Sequence, residues 1–266
     1  MKKVFCVIPN AGLGNKLFVI CRALLFGSLN DRDVIFLNTF QIKIGPYIRN
    51  EKSKRKYSGF FKFQKRYLLD KFCLIRYSYA SFGSYLVEPE IIKNANCCED
   101  VVFDKIPHYS NYFAELIPYR LLIKGLLFNQ LKSNVQQQIL NLPSLDVSVH
   151  VRLGDFKLLD SNADFRKVGS TRSPIDYYLN QMQAILSKDS NATFTIFSDG
   201  YAHELTDLLN FPNTHLFSSV NDIVDLYQMS KSRIIITSAG STYSYWAAFM
   251  SDGEVIQHPY HFCRIR

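Results

Sequence analysis

His150 and Arg152 stand two positions apart at the end of the run Asp146-Val147-Ser148-Val149-His150-Val151-Arg152. In an extended chain, alternation puts the three valines on one face and Asp146, Ser148, His150 and Arg152 on the other. A buried parallel strand is ordinarily apolar on both faces. A histidine and a guanidinium at its C-terminal end, with Gly154 and Asp155 just beyond, therefore suit a ligand, because open α/β sheets bind ligands at that edge. The guanidinium fork matches phosphate oxygens. The alternative is an arginine paired with Asp155 or Asp199 and a histidine hydrogen-bonded in the core.

A second constellation follows the apolar strand expected at residues 233–238, which runs into Ala239-Gly240 and then Ser241-Thr242 at the head of a helix. Small residues let the backbone approach an anion, and the first free N–H groups and the positive dipole end face it. The two hydroxyls add donors, so this is a candidate diphosphate cradle, although Ser and Thr also favour such positions as ordinary N-caps. Asp222 and Asp225 lie one turn apart on the polar face of the preceding helix, where a carboxylate could take the N–H pair of a guanine edge or simply answer the helix dipole. Phe197-Ser198-Asp199-Gly200 ends a neighbouring strand, and Asp199 could be a base, a ribose ligand or a turn residue.

A metal-bound transferase would use an Asp-x-Asp after a strand. The one such triplet, Asp31-Arg32-Asp33, precedes its strand, so no metal site is assigned. The G-x-S-x-G, G-x-x-x-x-G-K-[ST] and H-E-x-x-H patterns are absent from the sequence, which leaves hydrolase, P-loop and zincin readings without support.

The elements that would position these residues alternate. Residues 3–9 read as a buried strand, followed by the turn Asn10-Ala11-Gly12-Leu13-Gly14, a helix at 15–28 and a second strand at 34–37. Residues 114–140 are helical in pattern, interrupted at Pro118. From Asp146 onward, strands at 146–152, 192–198, 214–217, 233–238 and 254–257 alternate with helices. Ser173-Pro174 is a cap with proline at the first helical position, a helix runs over 201–210, and Asn221 caps the next. Strands separated by helices of this length describe a parallel Rossmann-like sheet with helices on both faces. The Asn141-Leu142-Pro143-Ser144 break separates an N-terminal domain, 1–143, from a C-terminal domain, 144–266.

With 266 residues, 47% hydrophobic and 20% charged, the composition predicts a folded chain rather than a disordered one. The apolar run after Lys2-Lys3 is too short for a signal peptide and none approaches a membrane span, so a cytoplasmic location is expected. Cys6, Cys21, Cys73, Cys97, Cys98 and Cys263 form no C-x-x-C pair and have no histidine at zinc-ligand spacing, so reduced thiols are expected. Part of the +8 formal charge gathers between Gln41 and Ala80, with eleven Lys or Arg against two acids and nine aromatics between them. That stretch could hold an anionic membrane surface, an acidic or lipid-linked acceptor or nucleic acid, or could be a solvated face with lysines snorkelling over aromatics.

Three ordered stretches resemble the α-1,2-fucosyltransferases, relatives of the α-1,6- and protein O-fucosyltransferases: Gly12-Leu13-Gly14-Asn15-Lys16-Leu17-Phe18, His150-Val151-Arg152-Leu153-Gly154-Asp155-Phe156, and 238–249 with Tyr245-Trp246-Ala247-Ala248. Phe197-Ser198-Asp199 and 225–230 fit the same pattern. The resemblance implies a GT-B-like α/β fold, two Rossmann-like halves facing across a cleft, and inverting transfer of L-fucose from GDP-fucose to a glycan or lipid-linked glycan hydroxyl. It places the nucleotide sugar on the C-terminal domain and the acceptor on the N-terminal one. Carried over, His150 would contact guanine or ribose, Arg152 the diphosphate, Asp225 the base edge, and Ser241 and Thr242 the phosphates. Ser198 and Asp199 join this donor site, and Gly12, Gly14 and Asn15 form a loop near the reacting carbon. Arg152, Asn15 and Asp155 are the catalytic candidates, with Asp155 first in line as the base. No cofactor or metal beyond the nucleotide sugar is implied, membrane contact would be peripheral through residues 41–80, and no nucleic-acid partner is expected. The chain departs from the pattern at Leu153, where the family usually has arginine, at Lys16, in place of glutamine, and at Gly200, in place of a second aspartate. A same-fold enzyme using another UDP- or GDP-linked sugar such as xylose is the nearest alternative. A noncatalytic anion- or nucleic-acid-binding protein is a more distant one.

Overall fold

The apolar run after Lys3 forms the first strand, β1 (Val4–Val7), and the chain then turns through Pro9 to Gly12 into α1 (Leu13–Leu29). This is a computed structural model that describes residues 3–39, 41, 48, 57, 59–63, 88, 100–158, 164, 171–218 and 221–265. Most of the basic aromatic stretch at 41–80 lies outside the described residues, as do Cys73, Cys97 and Cys98. Cys6, Cys21 and Cys263 are buried free thiols. Contacts divide the chain into two units, Met1–Ile42, Lys56–Gln136 and Arg266 in one and Lys43–Arg55 and Gln137–Ile265 in the other.

In the first unit, β1 lies between β2 (Val34–Leu37) and β3 (Val101–Phe103), parallel to both. α1 is buried nearly all round and packs against this sheet and against α2 (Arg120–Asn129). An all-round apolar helix demands such burial. The single helical stretch expected over 114–140 is instead a 3-10 turn (Ile117–Tyr119), α2 and α3 (Ser133–Leu140). The break at Pro118 is as expected; the one after Asn129 is not, and there Phe128 O accepts from Gln136 Nε2 and the chain pairs Leu131 with Phe61. β3 carries no sequence signal of its own, being three residues long.

In the second unit, β4 (Leu145–Val151), β5 (Phe194–Ser198), β6 (Thr214–Leu216), β7 (Ser232–Ile236) and β8 (Glu254–Ile256) form one all-parallel sheet in the order β6-β5-β4-β7-β8. The valines of β4 pack with Tyr177, Tyr178, Met182 and Ile185 of α4 (Ile175–Leu186). α6 (Asp222–Ser230) packs on β4 and β7 and along α7 (Thr242–Met250). The segment expected as a helix over 201–210 is a 3-10 turn (Ala202–Leu205) continued by the short α5 (Thr206–Leu209). Ser173 does not cap α4: Pro174 occupies the cap position with no side-chain cap bond, and the Ser173 hydroxyl accepts from Ala239 N at 3.0 Å instead. Among the described residues no helix is long and apolar enough to cross a membrane.

Candidate functional site

From β4 the chain moves to β5 and β6 on one side, then returns with β7 to the other side of β4. The order therefore reverses between β4 and β7, and in open α/β sheets the crevice at the carboxyl ends of such a pair is where ligands bind. His150 and Arg152 leave β4 there, and Ser238 through Thr242 leave β7 there. The two segments are joined directly, because Arg152 N donates to Ser238 Oγ at 2.8 Å.

Arg152 is held by two carboxylates. Its Nη2 lies 2.5 Å from Asp155 Oδ1 and its Nη1 2.6 Å from Asp199 Oδ2, while the guanidinium sits 5.5 Å from the centre of the Phe156 ring. Asp199 Oδ1 also accepts from Leu153 N at 2.9 Å and Gly154 N at 3.2 Å. Of the three roles open to Asp199 in sequence, the geometry displays that of a turn residue. A side chain on Gly154 would run into that carboxylate. Ser198 Oγ accepts from Gly200 N at 3.1 Å, and Gly200 is pressed against Leu153.

His150 is 3% exposed, and its ring lies 5.3 Å from that of Tyr243 in the first turn of α7. Burial pushes its pKa down to about 3, with Asp199 opposing and Arg152 reinforcing the shift. The imidazole is thus neutral at ordinary pH. Its Nδ1 is buried with no hydrogen-bond partner among the described residues. A polar atom shut from water without a partner costs about 1–3 kcal/mol, so it marks a place built for something other than packing.

α7 begins one residue later than expected. Ser241 is its N-cap by position and is buried, yet its side chain makes no cap bond. Asn221, by contrast, caps α6 by accepting from Val224 N at 3.0 Å. The ordinary-cap explanation of Ser241 therefore does not apply. Gly240 reaches the turn at φ +67°, in the left-handed region that glycine enters without a Cβ penalty, and its N–H donates to Tyr245 Oη at 2.8 Å. Thr242 is half-buried beside it. Asp225 is 8% exposed, so it is buried rather than on a solvated helix face. Tyr243, which touches His150 and donates from its hydroxyl to Asp222 O at 2.6 Å, was not singled out from sequence, where nothing distinguishes it from a packing tyrosine.

Gly12, Gly14 and Asn15 belong to the first unit. Gly12 caps α1 at φ −66° and ψ 165°, without a side-chain cap, and a Cβ there would meet none of the described residues. Gly14 is buried, and Asn15 Oδ1 is buried with no hydrogen-bond partner among the described residues. Lys16 is 5% exposed and ties this turn together, donating to Pro9 O at 2.9 Å and Gln41 Oε1 at 2.5 Å. Asp31 and Asp33 precede β2, and among the described residues no group of three His, Cys, Asp or Glu side chains is placed to hold a metal ion.

Known structures share the fold. Fucosyltransferase NodZ from Bradyrhizobium matches with a TM-score of 0.56 at 13% identity, covering 98% of this chain and 96% of that one. NodZ alpha-1,6-fucosyltransferase soaked with GDP-fucose matches at 0.52 and 12%, covering 97% and 95%. POFUT1 in complex with GDP-fucose matches at 0.51 and 11%, covering 97% and 98%. At such identities the likeness is one of fold, and it supports the expectation of a GT-B-like α/β architecture with parallel sheets flanked by helices. No curated protein matches the chain in sequence. The family description for glycosyl transferase family 11 matches residues 2–258, and the chain therefore belongs to that family and is a glycosyltransferase.

Proposed function

We propose that the chain transfers L-fucose from GDP-fucose to a hydroxyl of a glycan acceptor, with inversion and without a metal ion. One observation carries the donor assignment: at the switch point of the parallel sheet the Arg152 backbone is bonded to Ser238, just before the turn that opens α7, and Ser241 does not spend its hydroxyl on the helix. Family membership and the donor-bound relatives support the choice of sugar and base.

In this reading the diphosphate lies against Arg152, the first N–H groups of α7 and the Ser241 and Thr242 hydroxyls. Charge developing on the leaving group is then met by donors already in place, which lowers the barrier without reorganisation. Asp155 and Asp199 keep the guanidinium in one orientation, and Ser198 holds the turn that carries Asp199. The neutral His150 and the buried Asp225 serve the nucleoside. Gly12, Gly14 and Asn15 serve transfer from the N-terminal unit, which is assigned the acceptor, and Asp155 is the first candidate to take the acceptor's proton.

The test is incubation of the purified protein with GDP-fucose and, separately, with other UDP- and GDP-sugars, following transfer to simple sugars and slow hydrolysis. GDP-fucose is the donor turned over fastest, and EDTA leaves the rate unchanged. Arg152→Ala weakens donor binding roughly 30- to 150-fold, the equivalent of a charge-assisted contact worth about 2 to 3 kcal/mol. Unchanged donor affinity in a folded Arg152→Ala protein refutes the role given to that residue, and turnover of a different sugar refutes the donor.

A further inference from the structure

Ser238 sits where β7 has ceased to pair with β4. The last ladder pair is Val149 with Ile236, so Val151 and Ser238 would come next. In a parallel ladder the residue opposite Val151 would donate its backbone N–H to His150 O and accept from Arg152 N. The side chain of Ser238 does both: its hydroxyl donates to His150 O at 2.8 Å and accepts from Arg152 N at 2.8 Å. The hydroxyl thus stands in for a peptide group. It extends the sheet by one step while the backbone peels away into the Ala239-Gly240 turn that starts α7.

The directions of the bonds around this oxygen are fixed by counting. A serine hydroxyl has one proton and two acceptor sites. The proton goes to His150 O, which can only accept, and Arg152 N–H fills one acceptor site. The third neighbour, Tyr178 Oη at 2.7 Å, must therefore be the donor. Tyr178 is fully buried on α4, and burial pushes its pKa up to about 12, so the proton needed for that bond is always present. Ser173, just before α4, holds the other side of the same turn by accepting from Ala239 N. None of these three residues carries a charge, and Ser173, Tyr178 and Ser238 are all nearly inaccessible to solvent.

We propose that Ser238 and Tyr178 are positioning residues that set the backbone of Arg152 against the start of α7, and so determine how the guanidinium meets the donor's phosphates. The inference rests on the diphosphate reading above, but not on which base or sugar the donor carries. Removing a purely structural pair would lower stability and affect binding independently of Arg152. Removing a pair that acts through Arg152 would lose its effect once Arg152 is gone.

The experiment is a double-mutant cycle on the full chain, with GDP affinity measured by calorimetry, or UDP affinity if that nucleotide binds instead. Tyr178→Phe, which keeps the ring and removes only the hydroxyl, should weaken binding about 3- to 10-fold, the range of one hydrogen bond. Ser238→Ala should weaken it about 10- to 30-fold, since it removes two backbone anchors at once. In an Arg152→Ala background either change should cost less than about twofold, because coupled residues are non-additive. Equal losses in the two backgrounds, or no loss in either, overturn the inference while leaving the diphosphate site intact. A wild type that binds neither nucleotide removes the functional reading, and this inference with it. If Ser238→Ala does not fold, the Tyr178→Phe cycle decides alone.

Discussion

Asp199 shows how one side chain can be committed to architecture at the edge of the proposed donor site. One of its oxygens takes the amides of Leu153 and Gly154 and the other takes Arg152. Asp199→Ala leaves those donors without their acceptor and should lower the free energy of unfolding in urea by about 2 to 3 kcal/mol, whereas Asp199→Asn retains an acceptor and should lose less. Asp155 differs because it holds Arg152 by a single contact and its side chain is 35% exposed. If it also takes the acceptor's proton, Asp155→Asn lowers kcat while leaving donor affinity within about threefold of wild type. A loss confined to donor affinity would assign it to Arg152 alone.

Among elements, the two glycine turns make a contrasting pair. Gly240 is required by its own backbone, at φ +67°. Gly240→Ala should therefore cost about 1 kcal/mol or more in stability and disturb the head of α7. Gly12 has φ −66°, and none of the described residues occupies the space of a Cβ. Gly12→Ala should thus leave stability within about 1 kcal/mol of wild type, since the poorer cap and the stiffer unfolded chain offset each other. If that space serves the reaction, kcat/KM should nevertheless fall by about tenfold or more, in keeping with the sensitivity of catalysis to small misplacements. Wild-type turnover in Gly12→Ala would remove the N-terminal turn from the proposal.

Stability of the molecule as a whole should carry the signature of a histidine kept neutral. Well above pH 6.5 His150 is uncharged in both folded and unfolded chains and contributes no pH dependence. Below that, the unfolded chain takes up a proton that the folded one, with its pKa near 3, does not. Stability then falls as the pH drops, by up to about 1.4 kcal/mol per pH unit, until the pH approaches 3. Denaturant titrations of wild type and His150→Gln between pH 7 and pH 4 should show a shallower decline in the variant. Parallel declines would mean that other groups dominate.

The sequence alone determined what periodicity can carry: the strand–helix alternation after Asp146, the valine face of β4, the Asn221 cap of α6 and the ordered stretches around Gly12, His150 and Ser238. These are local patterns, set by backbone geometry within a few residues. Only the tertiary structure decided that Ser173 serves Ala239 rather than its own helix, that Asp225 is buried, and that Ser238 completes the ladder of β4. Each depends on partners tens of residues away, brought together because β7 returns beside β4 after β5 and β6 have been laid down. A hydroxyl's spacing along the chain is the same whether it caps its own helix or holds a neighbouring strand. Its role follows from which backbone group the sheet order leaves within about 3 Å.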